Sequence, residues 1–107
     1  MQTSHRRTIA TRKLCYTYSG EIAKQRVTIS ISEPFHLTEG SVDFAFSEGT
    51  AGCVISFDGL DEKEMTVYGA DTIQALAIAV DALEKYLHRL SRKYDFYFET
   101  GEPYFED

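Results

Sequence analysis

Tryptophan is missing from this chain, and cysteine and proline occur only twice each. Two cysteines, Cys15 and Cys53, cannot supply a disulfide framework, so the fold must rest on an ordinary core. Both lie in alternating apolar stretches and read as free, buried thiols, with a Cys15–Cys53 bridge as the competing reading. The longest apolar run, Ala75 to Val80, is far short of the ~20 residues that cross a bilayer, so no membrane is expected. The opening Met-Gln-Thr-Ser-His-Arg-Arg has no apolar stretch behind it, which leads us to expect no secretory leader and a cytoplasmic location. A basic excess is also missing. The formal charge is −6, which argues against duplex nucleic acid as a partner, since phosphate contacts need a concentrated basic face.

What is present suits one compact unit. At 107 residues, 43% hydrophobic and 26% charged, the chain has the balance of a globular domain. We expect a single domain over 1–107, with residues 1–7 as a flexible start. Seven Phe and seven Tyr provide bulky core material. Charge is segregated along the chain: residues 1–26 carry a net +5 and residues 94–107 a net −5.

Hydrophobic periodicity sets out the elements. From Thr8 to Tyr18, Leu14, Tyr16 and Tyr18 alternate with Lys13, Cys15 and Thr17, the period of a strand with one buried face. Ser19-Gly20-Glu21 marks a turn. From Ile22 to Ser32, Val27, Ile29 and Ile31 alternate with Thr28, Ser30 and Ser32, and the two runs read as a hairpin. Pro34 interrupts the ladder because it has no N–H. Val42, Phe44 and Phe46 alternate with Asp43, Ala45 and Ser47, which predicts a short strand. Cys53, Ile55 and Phe57 predict another, and Asp58-Gly59 turns the chain toward a further strand at Met65 to Tyr68.

A helix follows, over Asp71 to Lys93. Asp71 suits the N-cap, and Gln74 stands where its side chain reaches back to the cap residue's own N–H. Ile73, Leu76, Val80, Leu83, Leu87 and Leu90 form one continuous stripe, expected to lie on the sheet. Asp81 with Lys85, and Glu84 with His88, are spaced as ion pairs of a solvated face. Asp95 to Glu99 reads as an aromatic strand, and Glu102 to Asp107, with Pro103, as an edge or loop. Strands first and helix late give an α+β class: an antiparallel sheet of about five strands packed against one long C-terminal helix.

Catalytic patterns are missing. His5, His36 and His88 lie apart from each other and from any Cys pair, so no metal ligand set is expected. The Asp58–Glu64 loop is rich in carboxylates but lacks the spacing of a calcium loop, and reads as a solvated acidic turn. Neither a Gly-rich phosphate loop nor a nucleophile elbow occurs, so no catalytic residue and no cofactor is assigned.

The segment Gly69-Ala70-Asp71-Thr72-Ile73-Gln74-Ala75-Leu76, with Leu14 to Gly20, Val27 to Ile31 and Gly59-Leu60 at matching places, resembles a family of small bacterial proteins of unknown function. In that family an opening hairpin precedes a G-x-D-x-x-Q-A-L helix start. The resemblance spans about Leu14 to Gly101 and implies the fold, with no chemistry attached. Small acidic α+β proteins of this kind also resemble immunity proteins, which neutralise a toxin by covering it.

The expectation is therefore a non-enzymatic interaction module that engages a protein partner through acidic and aromatic surface, at Tyr97, Glu102, Tyr104, Phe105, Glu106 and Asp107. The rival is a small enzyme or ligand binder with a pocket between helix and sheet, using Asp71, Gln74 or His88. A homo-oligomer joining one chain's basic start to another's acidic tail is a third expectation.

Overall fold

The computed structural model describes residues 7–105. Residues 1–6 of the expected flexible start, and the candidate residues Glu106 and Asp107, lie outside that range. The elements are β1 (Thr8–Tyr18), β2 (Gln25–Ser32), β3 (Phe35–His36), β4 (Ala51–Asp58), β5 (Met65–Gly69), α1 (Thr72–Leu90) and β6 (Tyr94–Phe98). Across the sheet the order is β5, β4, β2, β1, β6, with every pairing antiparallel. β3 continues past the end of β2 along the same side of β4. The expected α+β architecture, an antiparallel sheet with one helix near the C-terminus, is present.

One face of the sheet is the core. Leu14 and Tyr16 of β1, Val27, Ile29 and Ile31 of β2, Cys53 and Ile55 of β4, and Tyr94 and Phe96 of β6 are buried together beneath α1. The opposite face carries Lys13, Thr28, Ser30, Ser56 and Thr66, as alternation in a half-covered antiparallel sheet requires. Cys15 and Cys53 project to opposite faces of non-adjacent strands and are both free thiols. Cys53 is fully buried, whereas Cys15 is only half-buried.

The predicted strand at Val42–Phe46 does not form. Alternation supplies a pattern but not a partner: the segment joins no ladder, and Phe44 instead sets its ring edge-on to Tyr68 of β5, 5.1 Å away. The ladder position goes to Phe35–His36, immediately after Pro34. The change of register there would strand one amide, and Ser32 fills the gap. Its Oγ accepts from Val54 N–H at 3.0 Å while donating to Glu33 O at 3.0 Å. The second strand starts at Gln25, later than expected, and Ile22 is left 95% exposed in the preceding loop.

The helix begins as the sequence indicates and ends earlier. Asp71 is the N-cap, its Oδ1 accepting from Gln74 N–H at 2.7 Å. Gln74 does reach back, but to the N–H of Ala70 (2.6 Å), one residue before the cap. Ser91 ends α1, where its N–H bonds to Leu87 O and His88 O, so Arg92 and Lys93 lie in the turn beyond. The apolar stripe is also rotated from expectation. Ala75, Ala79, Leu83, Leu87 and Leu90 form the buried line, while Ile73 is 79% and Val80 50% exposed. The cause is the closeness of β5. A Cβ on Gly69 would stand 2.5 Å from Ala75 N, so only small side chains fit at the first turns. Farther along, the helix clears the sheet and leucines fill the space.

Candidate functional site

Two polar clusters tie α1 to its surroundings. On one flank the Glu62 carboxylate, from the β4–β5 loop, accepts from Tyr86 OH at 2.6 Å and Tyr94 OH at 3.3 Å, and pairs with Lys93 Nζ at 3.2 Å. Its side chain is 11% exposed, so the loop is not the fully solvated acidic turn expected from composition. Burial pushes the Glu62 carboxyl up, but the bonds from Tyr86, Lys93 and Tyr94 outweigh it and leave the acid below its ordinary value. Burial and the adjacent carboxylate push Tyr94 up to about 12. Every polar atom here has a partner, and the cluster clasps the loop to the helix.

On the other flank Glu84 is not paired with His88 as its spacing suggested. It takes Arg12 of β1, and it accepts from Tyr104 OH at 2.9 Å. Arg12 also bonds the Tyr104 hydroxyl, and its guanidinium lies 5.6 Å from that ring's centre. Burial raises the Glu84 acid, and the Arg12 and Tyr104 bonds more than reverse that rise. The Glu84 bond in turn raises Arg12 above its ordinary value. His88 stacks edge-on against Phe105 at 5.1 Å.

These contacts define the C-terminal segment. The tail folds back along the outer edge of β6: Phe98 N–H donates to Glu102 O at 2.8 Å, and Tyr104 N–H to Phe96 O at 2.9 Å. Of the candidate partner-binding residues, Tyr104 and Phe105 are half-buried, the first bonded to Glu84 and Arg12, the second packed on His88. Tyr97 is half-buried on the other face, with Lys24 Nζ 4.5 Å from its ring centre. Glu102 is exposed, beside Glu99 on the β6–tail turn. The tail is therefore fastened to the domain by its aromatics and shows Glu102 to solvent.

An opening lies next to this turn. β6 pairs with Leu14–Tyr18 only, so on that side Thr8–Lys13 of β1 have no neighbouring strand among the described residues. Between this stretch and α1 runs a groove of about 140 Å³, lined by Ala10, Arg12, Ile29, Ile31, Val80 and Leu83 among others. Of its lining residues, Ala10 and Val80 expose apolar surface. The open edge is invisible to periodicity, because the β1 pattern gives no hint of where β6 stops. The exposure of Val80 and Ile73 follows from the helix rotation and was likewise not legible.

The residues named for a small-ligand reading fare differently. Asp71 and Gln74 are spent on the helix start. His88 lines an open depression of about 320 Å³ between the C-terminal end of α1, β6 and the tail, with Ser91, Tyr94, Phe96, Tyr97 and Phe105. Burial raises the Cys53 thiol, the opposite of what a nucleophile needs. Among the described residues no three His, Cys, Asp or Glu side chains gather as a metal site, and no helix is long and apolar enough to cross a membrane.

No family model, curated protein or solved structure matches the chain. Among the described residues the class the fold defines is an α+β domain with a six-stranded antiparallel sheet and a single helix. The G-x-D-x-x-Q-A-L segment is accounted for by the strand-to-helix junction at Gly69, Asp71, Gln74 and Ala75.

Proposed function

We propose that this chain is a non-enzymatic protein-binding module that accepts an extended strand along the open edge of β1. The observation that carries this reading is the Thr8–Lys13 stretch, which among the described residues has no strand on its β6 side and is bordered by an apolar groove toward the helix and by the acidic β6–tail turn at its end. Strand addition uses such features together: main-chain bonds supply affinity and pockets for alternate side chains supply specificity. The acids of the tail, Glu102 foremost, then act as the charged rim of the surface, and Tyr104 and Phe105 as its anchors to the domain. Covering a partner protein in the manner of an immunity protein is compatible with this mode.

The test is site-specific photo-crosslinking in cells of the native host. A photoreactive residue at Thr11 is expected to capture a protein, and the same residue at Thr66, exposed on the polar face of β5, is not. Equal capture from both positions, or none from Thr11, removes the reading.

A further inference from the structure

The open edge of β1 fits a second copy of itself, and we propose that two chains pair antiparallel through it about a two-fold axis at Thr11. This rests on the reading of that edge as a strand-accepting surface and names its occupant. Phe98 N–H and Phe96 C=O are taken by the tail, so the β6 groups that face β1 belong to Asp95 and Tyr97 and meet Thr17 and Cys15. Alternation then turns the N–H and C=O of Lys13 and Thr11 toward the open side. With the axis at Thr11, Arg12 of one chain stands across from Ala10 of the other, and Lys13 faces Ile9, the residue at which β1 shifts register against β2. No like charges meet, and the aliphatic stems of Lys13 and Arg12 cover Ile9 and Ala10, which the single chain exposes.

Charge supplies the second part. The position opposite Leu14 is already held by Phe98, so the incoming chain must leave the sheet beside the Glu99–Gly101 turn. That brings its Arg7 to Glu99 and Glu102, twice over by symmetry. Arg7 is loosely held in the single chain, 3.7 Å from Glu33 with its side chain 78% exposed. Glu99 and Glu102 have no ion-pair partner among the described residues. A foreign strand would have to bring its own acid and base in the right order, whereas a second copy already carries both. Such a self-complementary contact closes as a dimer.

Sedimentation velocity of the full chain over a concentration series reads the result. The paired stretch is short, so a weak dimer is expected, appearing at about 50 µM in low salt and receding in high salt. Arg7→Glu should lower the association constant about tenfold, and combining it with Glu99→Arg and Glu102→Arg should restore it. Thr11→Pro removes an edge N–H that the β2 ladder does not use and should abolish the dimer with circular dichroism unchanged. If Thr11→Pro does not fold, the charge exchange alone decides. A monomer at every concentration overturns self-pairing, as does a dimer insensitive to the charge reversal. A monomer in solution whose Thr11 position still captures a different protein in cells overturns self-pairing while leaving the strand-accepting edge intact.

Discussion

Replacing Gly69 by alanine tests the junction on which the helix placement depends. The added methyl would lie 2.5 Å from Ala75 N, 2.8 Å from Gln74 C and 3.0 Å from Ala75 Cα. All three are backbone atoms, so no side chain can swing away. The first turn is also held by Gln74 N–H on Asp71 and Ala70 N–H on Gln74. Relief therefore means lifting α1 from β5 and loosening the fully buried Ala75 and Ala79. Overpacking of this kind costs about 1–3 kcal/mol. Weakening the cap adds about 0.5–1 kcal/mol, and the stiffer unfolded chain returns about 0.4–1 kcal/mol. The net loss is about 2 kcal/mol, a sizeable part of the ~5–15 kcal/mol of a typical domain. Urea unfolding followed by far-ultraviolet circular dichroism should show the midpoint falling by about 1–2 M with the slope unchanged, and the melting temperature by roughly 8–16 °C. Gly20→Ala is the control: φ is +87° and nothing lies within 4 Å, so only the backbone conformation is penalised, by about 1 kcal/mol. A Gly69→Ala protein within about 0.5 kcal/mol of the parent would refute the close approach and with it the reason for the rotated stripe.

Three further outcomes are expected. The Glu62 acid is held below its ordinary value of 4.5, so its stabilising contribution is present above that pH and lost as pH falls through the folded value. Urea midpoints measured down the acid limb should drop less steeply in Glu62→Gln, and an unchanged slope would remove the clasp as a source of acid sensitivity. Tyr94 is raised from 10.0 to about 12, so it contributes stability below pH 10 that is lost as pH rises through the folded value. Absorbance titration near 295 nm should show one late phase missing in Tyr94→Phe, and identical curves would count against its burial beside Glu62. Ser32→Ala leaves the Val54 N–H without its acceptor and should cost about 1–2 kcal/mol, with faster hydrogen exchange at Val54. Unchanged exchange there would show that the hydroxyl is not the acceptor that bridges the change of register.

Sequence alone determined the class and most of the elements, because the relevant physics is local. Leu14/Tyr16 and Val27/Ile29/Ile31 alternate with polar residues, and a half-covered strand is the economical way to bury one side of such a run. Asp71 and Gln74 announce the helix start because orphan amides there need acceptors within a few residues. The open edge of β1 had no such signature, since the alternation of one strand does not say where its neighbour ends.

Tertiary structure decided what depends on neighbours. The alternation at Val42–Phe46 stayed irregular, with Phe44 spent on Tyr68, while Phe35–His36 took the place beside β4. Glu84 chose Arg12 and Tyr104 over His88 because β1 and the tail converge on that flank. The helix carries two overlapping apolar lines, one through Leu76 and Val80, the other through Ala75 and Ala79. Periodicity cannot choose between them, since both recur at the helical spacing and the larger side chains look like the better core. The strand beneath chose: Gly69 brings the two backbones so close that alanine alone fits between them. Val80 and Ile73 were thereby left in water, the first of them beside an edge that β6 is too short to close.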